Sequence, residues 1–178
     1  MSTTSNFAKI SAKAATGMDW ESVYASELPR VFNFFRYLTG NDPVAEDLTA
    51  DTFRKAWQNR HKYDHNRGAF STWLFTIARR TSVDYFRSRK TVFSLESAST
   101  IVDGTSPEQT YDKEDEILRL SLILSQFPER EREIIALKYG ASCSNKEIAQ
   151  QMRLSETNVS TLLHRVIQKL REAWEVEE

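Results

Sequence analysis

The sequence has a single cysteine, Cys143, among 178 residues, which excludes an internal disulfide. Such a thiol reads as a small, semi-buried side chain in a turn rather than a redox sensor. Glycine and proline are also scarce, at 5 and 4 residues. Sustained period-two alternation is missing, which argues against a sheet. No apolar run approaches the roughly 18 residues of a membrane helix, so membrane insertion is not expected. Residues 1–18 lack the apolar core and cleavage pattern of a secretory signal and read as a flexible tail. A cytoplasmic location is the expectation. Missing too is a surplus of positive charge: 24 Lys and Arg face 25 Asp and Glu, a net charge of -1. Coating DNA by bulk electrostatics needs a strongly basic chain. Any nucleic-acid contact must therefore use local basic patches.

What the chain does have favours helices, with Leu, Ala, Glu, Lys and Arg abundant. After Asp19, a fitting N-cap, Trp20, Val23, Tyr24, Leu28, Val31, Phe32, Phe35 and Leu38 recur at helical spacing. Pro29 is expected to kink that helix or split it. The turn Gly40-Asn41-Asp42-Pro43 ends it. A second helix is expected over residues 43–59, with Ala45, Leu48, Thr52, Phe53, Ala56 and Trp57 on its apolar face. Residues 61–68 are polar and aperiodic and read as a loop. A third helix over 69–89 carries the stripe Phe70, Trp73, Leu74, Ile77, Ala78 and Thr81, which assigns Trp73 to the core. Its second half gathers Arg79, Arg80, Arg87, Arg89 and Lys90 around Tyr85 and Phe86, against one acid, Asp84.

Periodicity stops over residues 91–113, which are rich in Ser and Thr and contain Gly104 and Pro107. A stretch of that length suits an interdomain linker better than a loop inside one compact domain. Ile117, Leu120, Leu124 and Phe127 then resume a helical face, continued by Ile134, Ile135 and Leu137. The expected architecture is all-α: two small helical domains, residues 19–90 and 114–178, joined by a flexible linker.

The end of the chain reads as a helix-turn-helix. Ser144 and Glu147 fit a capping box, in which each side chain serves the other's backbone N–H. A helix over 144–152 would bury Ile148, Ala149 and Met152, with the small Ala149 allowing a steep crossing. Arg153 and Leu154 make the turn. Ser155 caps a helix over 156–173 that buries Val159, Leu162, Leu163 and Val166. In such motifs the start of the second helix reaches base edges in the major groove. Glu156, Thr157, Asn158, Ser160 and Thr161 occupy that part, with His164 also facing outward. Arg165, Lys169 and Arg171 lie further along and suit phosphate contacts.

Three blocks in order resemble the extracytoplasmic-function (ECF) group of bacterial RNA polymerase sigma factors. They are Ala45-Glu46-Asp47-Leu48 with Thr52-Phe53 and Ala56-Trp57; Phe70 to Arg79 with Asp84-Tyr85-Phe86-Arg87; and Phe127 to Glu133 with Glu147-Ile148-Ala149. The resemblance covers about Asp19 to Trp174. It implies a non-enzymatic specificity subunit without cofactors or metal. Core RNA polymerase and promoter DNA are the implied partners, and family members are often held by an anti-sigma factor. Glu46, Asp47, Asp51, Arg54 and Trp57 would dock on the polymerase clamp helices. The helix-turn-helix would read the minus-thirty-five element and rest on the polymerase flap. The minus-ten element would be held by Arg79, Arg80, Arg87 and Lys90 on phosphates and by a base pocket with His61, Tyr63, His65, Asn66 and Arg67. Strand capture calls for such a pairing of cations and a pocket, because an unstacked base costs a few kcal/mol. Arg80 stands where the family usually has Asn, which keeps a phosphate role and bears on minus-ten specificity.

Two other classes fit parts of the pattern. An ordinary two-domain regulator would need no polymerase-binding helix and would bind duplex operator alone as a dimer. A nuclease or recombinase would need converging carboxylates. Asp42, Glu46, Asp47 and Asp51 lie exposed on one helix, and His61, Asp64 and His65 lack a second ligand cluster.

Overall fold

The computed structural model describes residues 19–96, 119–120 and 122–176. Helix α1 spans Trp20–Thr39 and α2 spans Asp42–Gln58. A short 3-10 turn, Arg60–Lys62, opens a loop that leads into α3, Phe70–Glu96. Residues 122–125 are helical and precede α4, Glu129–Ile135. A π-helical turn, Ala136–Gly140, follows. Helices α5, Asn145–Met152, and α6, Glu156–Val176, complete the described residues, which are otherwise loops and turns. The expected linker lies largely outside the described residues, as does the N-terminal tail.

Asp19 caps α1, its carboxylate accepting from the Glu21 N–H at 3.2 Å. Pro29 neither splits nor ends the helix. Buried Val31, Phe34 and Phe35 just beyond it hold the segment to the core, and that packing outweighs the loss of one backbone donor. Gly40 closes α1 in the left-handed region, φ 62°, with its N–H donating to the Arg36 carbonyl at 2.9 Å. The Asn41 side chain caps α2 from Val44 N at 3.0 Å, and Arg36 bridges back to Asp42 at 2.8 Å. Helix α3 runs to Glu96, past the expected end near residue 89. Propagating a helix needs only one further hydrogen bond per residue, so it can outlast its apolar stripe.

The two helical halves pack against each other. One hydrophobic cluster includes Val31, Phe34, Phe35, Leu74 and Phe75 from the N-terminal half and Ile134, Ile135, Leu137 and Ile148 from the C-terminal half. The closest approach is at Gly140: a Cβ there would lie 2.8 Å from the Asn33 carbonyl oxygen and 3.1 Å from Phe34 Cα. Only glycine lets the π turn sit on α1 this tightly. The Arg30 guanidinium, held by Glu27 at 2.9 Å, donates across the same seam to the Ala141 carbonyl at 2.8 Å.

Candidate nucleic-acid interface

The helix-turn-helix forms as its residues dictate. Ser144 Oγ accepts from Glu147 N at 3.2 Å, while the Glu147 carboxylate accepts from Ser144 N at 2.7 Å and from its hydroxyl at 2.8 Å. Burial works against the Glu147 charge, but these bonds, aided by nearby Arg30, hold its carboxyl below the usual range. Arg153 closes α5 in the left-handed region, φ 55°, and Ser155 Oγ accepts from Asn158 N at 3.2 Å. Ile148, Ala149, Val159, Leu163 and Val166 are buried, whereas Met152, Leu154 and Leu162 are only partly so.

Glu156, Thr157, Asn158, Ser160, Thr161, His164, Arg165 and Lys169 are all exposed on α6. They are not equally available. Ser160 donates to the Glu156 carbonyl at 3.1 Å and accepts from Asn145 at 3.0 Å, and Thr161 donates to the Thr157 carbonyl at 3.0 Å. Those hydroxyl protons are used within the motif, leaving lone pairs and the Thr161 methyl for a partner. Lys169 is tied to Glu131 of α4 at 2.7 Å, so the expected phosphate contact is an ion pair here.

Residues 61–68 form a small concavity rather than a featureless loop. A cavity of about 150 Å³ is lined by Lys62, Tyr63, Asp64, Arg67, Gly68, Ala69, Thr72 and Trp73. That is smaller than a drug-sized ligand site and on the scale of one flat base. Of the five residues expected to form a base pocket, Tyr63 and Arg67 line it, while His61, His65 and Asn66 do not. Asn66 instead shapes the loop, its backbone N–H donating to Asp64 at 2.9 Å and its side chain donating to the same oxygen at 3.1 Å. Tyr63 packs on Phe70 and Trp73, with ring centroids 5.3 and 5.5 Å away, and donates to the Gly68 carbonyl at 3.2 Å. Burial, then the Asp64 carboxylate, pushes its phenol up. Trp73 packs against the core as its stripe predicts, but it is only half-buried and also forms a wall of the cavity. The apolar stripe hid this, because one flank of an indole can pack on a core while the other faces a pocket.

The basic half of α3 divides. Arg79 forks onto Glu133 of α4 at 2.6 and 3.0 Å and also donates to the Gln151 carbonyl at the end of α5. Arg80 is exposed and lines a larger interdomain cavity of about 510 Å³ with Arg79, Gln150 and Arg153. Arg87 is exposed further along α3, and Lys90 lies beyond it, outside the described side chains.

On the opposite flank, α2 buries Ala45, Leu48, Thr49, Thr52, Phe53 and Ala56. Glu46, Asp47, Arg54 and Trp57 are exposed, and Asp51 is half-buried. Burial disfavours the Asp51 charge, but hydrogen bonds from Lys55, at 2.8 Å, and from Arg54 outweigh it and hold the carboxyl low. Trp57 is 40% exposed although it was expected on the apolar face, and it is not loose. It meets Trp20 edge to face at 5.3 Å and lies under the Arg60 guanidinium at 4.3 Å. The result is a mixed acidic and aromatic surface with Trp57 held in place.

Among the described residues no group of three or more His, Cys, Asp or Glu could hold a metal ion, and no helix is long and apolar enough to cross a membrane.

Residues 23–92 match the family Sigma-70 region 2, and residues 117–170 match Sigma-70, region 4. The chain is 28% identical over 156 residues to the ECF RNA polymerase sigma factor SigM of Bacillus subtilis, covering 86% of this chain and 94% of that protein. It is 29% identical over 163 residues to ECF sigma factor SigL of Mycobacterium tuberculosis, covering 90% and 91%. Among solved structures it is similar to the sigma factor RpoE in complex with the anti-sigma factor NepR from Bartonella quintana. The TM-score is 0.70 at 22% identity, over 90% of this chain and 99% of that one. It is likewise similar to CnrH in complex with the cytosolic domain of CnrY, with TM-score 0.71 at 20% identity over 96% of both chains.

Proposed function

Because the chain belongs to the ECF RNA polymerase sigma factors, with sigma-70 regions 2 and 4, and so directs promoter-specific initiation without being an enzyme, we propose how its residues divide that task. Residues 19–90 act as region 2 and residues 114–178 as region 4. The α2 surface of Glu46, Asp47, Asp51, Arg54 and Trp57 docks on core polymerase. Its charged side chains steer the encounter and the fixed Trp57 supplies apolar area. The loop cavity between Tyr63 and Trp73 takes one unstacked minus-ten base. Arg67, Arg80, Arg87 and Lys90 hold the strand's phosphates, joined by Arg79 when it is released. The start of α6 reads minus-thirty-five base edges and Arg165 holds phosphate. The protein works in the cytoplasm, where its polymerase partner is, and an anti-sigma factor is its fitting regulator.

The observation that carries this division is the split of α6: Val159, Leu163 and Val166 are buried while all eight proposed DNA-facing side chains are exposed. Run-off transcription with sigma-free core polymerase and a promoter library tests it. Promoter-specific initiation is expected. Tight duplex binding by the chain alone, with no initiation, would instead favour an ordinary regulator. Asp47→Arg should weaken core binding roughly ten- to hundredfold while leaving the chain's affinity for minus-thirty-five duplex unchanged.

A further inference from the structure

A serine hydroxyl ordinarily reads a base edge in either sense, because it can donate or accept. Ser160 has lost that freedom. Its Oγ lies 3.1 Å from the Glu156 carbonyl oxygen and 3.0 Å from Nδ2 of Asn145, the first residue of α5. Two oxygens in hydrogen-bond contact need a proton between them, and a carbonyl has none, so the Ser160 proton points at Glu156. The sense of the Asn145 amide is settled separately. Lys138 Nζ, which can only donate, lies 2.9 Å from the other end of that side chain, so that end is Oδ1. The Nδ2 end then faces Ser160 and donates to it.

One lone pair of Ser160 is thus taken by Asn145 and its proton by Glu156. A single direction on the oxygen is left, and it holds a lone pair. Ser160 is exposed on the part of α6 proposed to meet the major groove, while Asn145 and Lys138 are half-buried. We infer that Ser160 reads the minus-thirty-five element as an obligate acceptor that selects an exocyclic amine, and that Asn145, oriented by Lys138, is the positioning residue that keeps it so. This rests on the proposed duplex-reading role of α6. In the major groove adenine N6 and cytosine N4 are the donors, whereas guanine O6, thymine O4 and purine N7 accept. An accepting atom opposite Ser160 would set two lone pairs against each other. To satisfy it the hydroxyl would have to turn its proton away from Glu156. Asn145 opposes a change of rotamer, because its own donor would then lose its partner. Asn145 itself contacts no base; it acts through Ser160.

The test uses the full chain on core polymerase and duplexes carrying a minus-thirty-five sequence selected from a randomised library. Ser160→Ala first locates the base pair whose preference changes. Base analogues at that pair then delete one group at a time. Purine for adenine, or 2-pyrimidinone for cytosine, removes the amine. A 7-deazapurine removes N7, and 2-aminopurine for guanine, or 5-methyl-2-pyrimidinone for thymine, removes the keto oxygen. Such deletions also alter base pairing, so the quantity read is the difference between proteins. Amine deletion should weaken wild-type binding about three- to tenfold more than it weakens Ser160→Ala, the worth of roughly one hydrogen bond. N7 and keto deletions should affect the two proteins equally. Asn145→Ala should cut the amine-specific loss to about twofold or less at this pair and leave discrimination at the other minus-thirty-five positions as in wild type. A merely structural role for Asn145 would lower all positions together, and that outcome would refute its positioning role, as would an undiminished amine-specific loss. A wild-type-specific loss that follows N7 or keto deletion would make Ser160 a donor and overturn the inference. So would a Ser160→Ala variant that changes no base-pair preference while the minus-thirty-five preference persists. A holoenzyme with no minus-thirty-five preference at all would strike the reading of α6 itself, and the inference with it.

Discussion

Replacing Ser144 by alanine removes the capping box that starts α5, the helix on which the recognition helix is mounted. The hydroxyl that accepts from Glu147 N at 3.2 Å disappears, and so does the 2.8 Å bond it donates to the Glu147 carboxylate. The 2.7 Å bond from Ser144 N remains possible. Losing a cap of this kind costs about 1 kcal/mol, within a range of about 0.5–2. For a chain of 178 residues, that corresponds to a fall in Tm of about 2–4 °C per kcal/mol. The second readout is the titration of Glu147. Its carboxyl is held below the usual carboxylate range in the folded protein, partly by the Ser144 hydroxyl, and should move upward in Ser144→Ala. A folded-state value below the unfolded one means stability that is present above the unfolded pKa. It is lost as pH falls through the folded value. The stability gap between wild type and variant should therefore be full at pH 7 and shrink below about pH 4.5. Thermal unfolding against pH, with NMR titration of the Glu147 side chain, checks both, and Ser144→Thr should restore most of the loss. An unchanged Glu147 titration together with an unchanged Tm would refute the capping argument.

Tyr63→Ala should weaken holoenzyme binding to a single-stranded minus-ten oligonucleotide by about ten- to hundredfold, the worth of stacking one base at roughly 1–3 kcal/mol. Its affinity for minus-thirty-five duplex should stay the same, as anisotropy with the two probes will show. Arg165→Ala should weaken duplex binding uniformly across sequences and lower the salt slope by about 0.9, read from affinities over a salt series. Burial pushes the Cys143 thiol up to about 11, against the opposing pull of Arg30. Alkylation followed by intact mass should accordingly stay slow at pH 7–8 and accelerate only as pH approaches that value.

The parts legible in the sequence were those governed by neighbours in the chain. The Ser144–Glu147 box, the Asp19 cap and the buried Val159 all follow from spacings of two to four residues, and each stands where the pattern put it. Contacts across long separations left no such trace. Arg79 and Glu133 lie 54 residues apart, and nothing in their local sequences marks them as partners. Trp73 was legible as apolar but not as two-sided. Pro29 shows the converse: a strong local signal overridden by packing of the residues that follow it. The loop was recognised as polar, yet which of its side chains line the cavity depended on the Asp64 turn, which draws Asn66 away.

The π turn at Ala136–Gly140 has a geometric consequence. Its backbone closes from Ala141 N to the Ala136 carbonyl at 2.9 Å, and so holds one residue more than an α turn would. Each residue rotates an α-helix by about 100°. Deleting a single residue here, such as exposed Tyr139, would wind the turn into regular α-helix. The flanking segments would keep their facing, because the turn absorbs its extra residue locally. From its Lys138 a chain of hydrogen bonds runs through Asn145 to Ser160 on the recognition helix, at 2.9 and 3.0 Å. The turn thus stores one extra residue in the scaffold at the point where a chain of side-chain hydrogen bonds ties that scaffold to the start of the recognition helix, whose outward face is set by its own buried Val159, Leu163 and Val166.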